Sequence, residues 1–433
     1  MVTTLNRAQR FCSLLLGVVL MPAWTMAAIQ PGQLAQALSN AEKGDTLTLE
    51  PGLFRGQYRI DTPLTLEGSP GTILDGNGDG TILTIAAPDV TVQDLLLRNS
   101  GRNLTDHESA IFIETPGRNT HIRRNRILAQ GFGIWVDSAP DVLVERNRIT
   151  GNTDIRSQDR GNGIHLHHVN GAMIRDNTVC RARDGIYINV SNGNTLAENR
   201  LCHQRYGIHY MYSNRNTVRG NRSWGNRTGY ALMQSTRLDV IRNHAENDKG
   251  YGFLLNYITQ STLRDNTAVR IQASTAPGST ESIEGGEGKA LFIYNSQKNR
   301  IHGNTFARTA IGIHMTAGSE NNEIHGNSLI SNRTQVKYVS NRAQEWSKDG
   351  RGNYWSDYMG WDIDDDGIGD VPYEPNDAVD RILWTYPMAR VLMNSPAVEL
   401  MRWVQSAFPI LKPQGVKDSH PLMRPPETQD QQS

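Results

Sequence analysis

An interval of 22 residues constrains this chain more than any other feature. Asn177, Asn199, Asn221 and Asn243 stand 22 residues apart, and so do Gly163, Gly185, Gly207 and Gly229. Each glycine opens a short run: GIHLHH, GIYINV, GIHYMY and GYALMQ. A fixed period of this size means that each copy is one structural unit, which buries its apolar face only by stacking on its neighbours. Apolar residues alternate within the runs, as in Ile164 and Leu166, Ile186 and Ile188, or Ile208 and Tyr210, so one face points in and the other out. Glycine density and the two-residue alternation exclude a helical repeat. Antiparallel hairpins would need a turn every 8–12 residues or so and gain nothing from identical spacing. Stacked identical asparagines can bond side chain to side chain from unit to unit. The expected fold is all-β: a right-handed parallel β-helix, one solenoid of roughly a dozen 22-residue coils.

The remaining segments take their meaning from that solenoid. Arg7 and Arg10 precede the apolar run Phe11–Met21 and the small residues of Ala23–Ala28, the order of a secretory signal. Residues 1–27 are therefore assigned as a signal peptide, with a periplasmic destination. The apolar run is shorter than the roughly 20 residues that a membrane span needs. The β-helix is expected over 28–343, closed at its first coil by a short helix within 31–44 whose Leu34, Ala35, Leu38 and Ala41 share a face. Two intervals are long: Asn147 to Asn177 spans 30 residues and Asn266 to Asn304 spans 38. The extra residues, near TDIRSQDR and ASTAPGSTESIEGG, should loop out without breaking their coils. Tryptophan and aspartate replace the repeat over 344–394, read as a C-terminal capping segment. An amphipathic helix is expected over 395–411, with Val398, Met401, Val404 and Phe408 on a stripe and Leu400 off it. Residues 412–433 read as a polar tail.

In a solenoid the outward residues of successive coils form columns, so the alignment predicts the surface. Two places after each glycine come His165, Tyr187, His209 and Ala231; four places after come His167, Asn189, Met211 and Met233. Imidazole and thioether donors together select soft or borderline metals, Cu(I) above all. His209, Met211 and Met233 are close enough to share an ion, whereas His165 and His167 lie two coils away, roughly 10 Å. The competing reading is a partner-contact or solvated face. A second pair, His302 and His325, also falls on adjacent coils. Cys180 and Cys202 are one period apart, stacked about 4.8 Å from each other, either as a disulfide or as a reduced pair. Asp362, Asp364, Asp366 and Gly367 copy the start of a calcium loop, but Tyr373 stands where the bidentate Glu belongs, with Asp370 or Glu374 as a substitute ligand. A plain Asp/Gly turn is the alternative. The 44 basic and 44 acidic residues cancel, which leaves no global field for nucleic acid or an anionic membrane. Arg183, Arg205 and Arg227 form a basic column that could hold a uronate or, alternatively, pair with acidic side chains nearby. Asp137, Asp159, Asp184 and Asp248 share no column, so lyase or epimerase chemistry lacks its acid–base pair, and no catalytic residue is assigned.

Several strings carry a resemblance beyond the repeat: RSQDRGNGIHL, YGIHYMYSN, GYALMQS, GKALFIYNS and GIHMTAGSE, then DGRGNYWSDYMGWD, PNDAVDRILW and NSPAVELMRWVQSAFP. In these the chain resembles the NosD family of periplasmic maturation proteins for nitrous oxide reductase. The resemblance implies a non-catalytic protein working with an ABC transporter made of the ATPase NosF and the permease NosY. It also implies the copper lipoprotein NosL and nitrous oxide reductase itself as partners, with copper passing toward the enzyme's copper–sulfur centre. Membrane association would then be through the permease only. Met401, Val404 and Phe408 would dock against the permease or, alternatively, pack as a cap on the last coil. A polysaccharide-binding or uronate-modifying β-helix protein is the rival reading.

Overall fold

The computed structural model describes residues 28–273, 286–339, 342–386, 388–389, 395–407 and 415–426. The assigned signal peptide, residues 1–27, and Phe408 lie outside them. The chain winds as a right-handed parallel β-solenoid of about 13 turns. Three parallel sheets of 12, 13 and 12 strands run its length, each strand pairing with the one three further along the chain.

One aspect of the repeat explains why the coils stack so regularly. From Asn125 through Asn147, Asn177, Asn199, Asn221, Asn243, Asn266, Asn304 and Asn327 to Asn353, each amide donates to the side-chain oxygen of the next at 2.9–3.1 Å. The same oxygen accepts the preceding asparagine's backbone N–H, as Asn199 does from Asn177 at 3.0 Å. The other amide proton reaches back to the previous coil, Asn177 to the Val144 carbonyl at 2.8 Å. One buried side chain thus ties three coils together at the corner between the first and second sheets. The residue before it sits in the left-handed region: Arg146 at φ 54°, Glu198 at φ 55°, Arg242 at φ 50°. A non-glycine residue there costs on the order of 1 kcal/mol, which the ladder's bonds offset. The repeat glycines have a different cause. A Cβ at Gly207 would stand 2.6 Å from the Gly229 carbonyl oxygen, so the coils approach too closely for any side chain.

Inside, the alternation packs one apolar residue over the next. Ile186, Ile208, Tyr230 and Phe253 are register partners in the third sheet and are essentially sealed from solvent. Volume is balanced across the core. Where the third sheet supplies the large rings of Tyr230 and Phe253, stacked 4.6 Å apart, the second sheet shrinks to Ser223, Ala245 and Ala268. The Tyr230 hydroxyl donates to the Asn221 carbonyl at 2.6 Å, so its polar tip is satisfied within the core.

Both ends are closed. Helix α1 (Leu34–Asn40) lays buried Leu34 and Leu38 on the first coils. At the other end, the expectation of a free polar tail over 412–433 is corrected for residues 416–422. Val416–Lys417 pairs in parallel with Gln344–Glu345, and Leu422 is buried. Buried Asp418 accepts from the Asn353 backbone at 2.7 Å and from the Trp355 indole at 2.8 Å. A carboxylate terminates the asparagine ladder, giving its last amide an acceptor where no further coil exists. A helix absent from the sequence reading, α2 (Ala378–Thr385), starts on a capping box between Asp377 and Asp380 and packs beside α3 (Pro396–Ala407). Helix α3 is the expected amphipathic element.

Replacing Asn243 with alanine removes two donated and two accepted bonds at a sealed corner. A loss of about 2–4 kcal/mol in unfolding free energy is expected, since stranded buried groups cost about 1–3 kcal/mol each. Denaturant unfolding should show Arg148→Ala, at an exposed strand position, within about 0.5 kcal/mol of wild type.

Candidate functional site

The predicted columns form on the outer face of the third sheet. Trp135, His165, Tyr187, His209 and Ala231 are register partners in succession, and so are His167, Asn189, Met211, Met233 and Asn256. This face is not an open, solvated sheet. His165 is 6% exposed and His209 7%, because aromatic rings stack along the column. His165 lies 3.8 Å from Trp135 and 4.7 Å from Tyr187 between ring centroids, and Tyr187 stacks on His209 at 4.4 Å. Tyr206 closes over His209 edge-on at 4.9 Å, and the Arg205 guanidinium covers Tyr206.

His209 is oriented from behind by a buried carboxylate. Asp184 accepts from His209 Nδ1 at 2.9 Å and from Arg205 Nε and Nη2 at 2.8 and 2.6 Å. Burial alone would raise the Asp184 carboxyl, but the His209 and Arg205 hydrogen bonds outweigh it and hold the group below the usual range. An ionised Asp184 requires a proton on His209 Nδ1, so in the neutral ring Nε2 is the nitrogen that carries the lone pair for a ligand. Beside it, Met211 and Met233 are direct register partners, and the Tyr187 hydroxyl donates to the Met211 sulfur at 3.6 Å. A carboxylate-oriented imidazole next to two thioethers is a donor set that fits copper.

The other two histidines form a separate group. Tyr187 stands in register between His165 and His209, so the five candidate ligands do not converge on one point. His165 and His167 instead gather at Trp135, 3.8 and 6.4 Å away between ring centroids; His107 stacks on the same Trp135 at 4.0 Å, and His168 lies 4.2 Å from His167. Among the described residues the Nε2 of His165 is buried without a partner. His107 and His168 were not singled out by the repeat: one lies in an irregular loop and the other just past its strand. Asp184 and Tyr206 both occupy the place before the repeat glycine, where strand alternation does not point toward the His209 face.

Other candidates fall elsewhere. Cys180 and Cys202 are joined by a disulfide with Cα atoms 4.6 Å apart. His302 and His325 stack at 5.7 Å. In the acidic loop, Asp362, Asp364 and Asp366 bring carboxylate oxygens within 4.8 Å of one another, but Asp370 is not among them. Asp370 accepts from Ile363 N at 2.8 Å, Asp362 from Gly367 N at 2.9 Å and Asp366 from Ile368 N at 2.7 Å. Backbone amides therefore occupy part of this loop's acceptor capacity. Neither Asp184 nor Asp248 stands on an open face. Asp248 is sealed against the Asn226 backbone and the Ser223 hydroxyl, and burial pushes it up to about 7.

The buried histidines carry a pH signature. Burial, then the neighbouring His167 and His107, hold His165 down to about 3; burial, then Lys289 and Lys337, do the same to His314. An unfolded histidine titrates near about 6.5, so between these values the unfolded chain binds protons that the folded chain refuses. Stability is full above pH ~6.5 and falls as the solution is acidified toward 3. In urea unfolding between pH 6 and 4, His165→Gln should flatten the slope by up to about 1.4 kcal/mol per pH unit; an unchanged slope would contradict its neutral burial.

Known proteins resemble this chain at two levels. Solved structures share the fold: the family 28 exopolygalacturonase of Yersinia enterocolitica matches with TM-score 0.57 and 10% identity, covering 72% of this chain and 75% of its own. A mannuronic acid specific family 6 polysaccharide lyase from the human gut microbiota matches with TM-score 0.54 and 12% identity, covering 75% and 86%. Such low identity speaks for the solenoid alone. Sequence relatives are more specific. Proteins named "Probable ABC transporter binding protein NosD" from Pseudomonas aeruginosa and Stutzerimonas stutzeri are 59% and 56% identical, over 88% and 87% of this chain and 88% and 86% of theirs. Their name describes binding proteins rather than enzymes. The family model described as periplasmic copper-binding protein (NosD) matches residues 145–360, a span that contains His165, His167, His209, Met211 and Met233. On this identity and coverage, the chain belongs to the NosD family of periplasmic copper-binding proteins.

Proposed function

We propose that this protein is a non-catalytic periplasmic scaffold that handles copper during maturation of nitrous oxide reductase. It acts with the ABC transporter formed by NosF and NosY, with the copper lipoprotein NosL as donor and the enzyme's copper–sulfur centre as destination. The carrying observation is the carboxylate-oriented His209 beside Met211 and Met233, in a family described as copper-binding. Neutral sulfur and nitrogen donors suit a cargo that must be released: they hold Cu(I) without the charge of a thiolate. His209, Met211 and Met233 are the ligands of choice, with His165 and His167 as a second holding point on the same face. The enclosed states of Asp184 and Asp248 favour this reading over lyase or epimerase chemistry, which needs carboxyl groups reaching an open groove.

Helix α3 supports a docking role. Leu400 and Trp403 are 59% and 62% exposed, Met401 is 36% exposed, and Val404 lies on the same helix. Among the described residues no helix is long and apolar enough to cross a membrane, so attachment at the membrane would run through the permease.

Two measurements test the proposal. In Cu(I) titrations against a chromophoric chelator, the His209→Ala, Met211→Ala, Met233→Ala variant should lose one tightly bound equivalent while keeping its circular dichroism; equal stoichiometry would sink the copper site. For docking, truncation is unsuitable, because Asp418 closes the solenoid. Met401→Asp with Val404→Asp should instead abolish co-purification with the transporter, and retained co-purification would count against α3.

A further inference from the structure

We propose that the corner between the second and third sheets is a binding site for a small, multiply charged oxygen anion. A cavity of about 670 Å³ opens there, lined by Arg156, Arg160, His203, Arg205, Arg227 and Lys249. Its volume is that of an ordinary small-ligand pocket.

The charges around it do not balance. Asp159 answers Arg156 at 2.8 Å, and Asp184 is committed to Arg205 and His209. Asp248 is turned into the core, where its oxygens accept from Asn226 and Ser223. Arg160, Arg227 and Lys249 are left with no carboxylate partner among the described residues. Among the described residues the Arg227 Nε is buried with no acceptor, and so is that of Arg183 two coils earlier in the same column. Arg160 is held by carbonyls only, those of Ile155 and Arg181. Burial and the adjacent Arg181 both work against its charge. A buried guanidinium donor without an acceptor is costly, and an oxygen anion supplies what is missing. Guanidinium forks bind such groups bidentately while an ammonium adds a point charge.

A second, independent feature points to the same place. The one wall of this cavity that the repeat does not provide is the insertion at 152–162, a 3-10 turn at Ser157–Asp159 with Arg156 and Arg160 on either side. The coil pairs in register before and after it, so the excursion serves no stacking purpose. It brings two arginines to the corner where Arg205 and Arg227 already stand. The shared chemistry is clustered anionic oxygen, from a free inorganic oxyanion or from the carboxylates of an acidic sugar.

Titration calorimetry of the mature chain at low ionic strength, with sodium sulfate in one arm and digalacturonate in the other, tests the site. Saturable 1:1 binding is expected in at least one arm, weakening as salt is added. Binding in the sulfate arm alone identifies a free oxyanion, and tighter binding in the other identifies an acidic sugar. Arg227→Gln should weaken binding on the order of tenfold, and Arg227→Gln with Lys249→Gln should abolish it, whereas exposed Arg237→Gln should change nothing. Arg160→Gln, on the insertion, gives an independent loss should the Arg227 variant fold poorly. Met211→Ala with Met233→Ala, which leaves the Asp184 contacts to His209 and Arg205 in place, should bind the anion normally, which separates this site from the copper reading. No saturable binding in either arm, or binding that survives the double variant in folded protein, would overturn the proposal.

Discussion

Everything on the surface of this protein depends on the asparagine ladder. A β-solenoid has no rigid axis of its own, and its coil spacing is set by bonds between coils. Here each repeat asparagine accepts from the coil before and donates to coils on both sides, inside a corner with almost no solvent. Such a network is stable only if every member is satisfied, and the ladder ends on Asp418, which supplies its final acceptor. With spacing fixed, a residue's place in the repeat becomes a place in space. Met211 meets Met233 because both stand four residues after a glycine.

Much of this was legible in the sequence. Period, alternation and the Asn/Gly turns determine stacking, and stacking determines the columns. The positions of His165, His209, Met211 and Met233 followed without coordinates. What lay beyond reach came from outside the repeat. Burial of the His209 face arises from Tyr206 and Arg205, which hold places in the alignment whose direction the strand pattern does not give. His107 reaches Trp135 from an irregular loop that no periodicity describes. Lys417 and Asp418 sit in a polar, Pro-rich stretch whose composition resembles a tail, yet a carboxylate was required there because the ladder had an unmatched amide. Composition reports average solvation, and it misses a single polar residue demanded by a specific donor.

The aromatic column also bears on function. Tyr187 separates the His209 group from the His165 group while touching both, stacked on His209, tilted against His165, and with its hydroxyl on the Met211 sulfur. Under the proposed function, His209 with its two methionines and His165 with His167 would hold copper on one face without a charged thiolate, which suits release. The same Arg205 that steadies Asp184 behind His209 also lines the cationic corner. The His209 face and the basic cavity therefore share one guanidinium.

The central claim is that His209, Met211 and Met233 together hold copper. X-ray absorption at the copper K-edge of the Cu(I)-loaded protein tests it most directly. The account predicts a first shell of two sulfur scatterers and one imidazole nitrogen, with the sulfur signal reduced in Met233→Ala. A shell of nitrogen and oxygen alone, or one unchanged by that substitution, would contradict it.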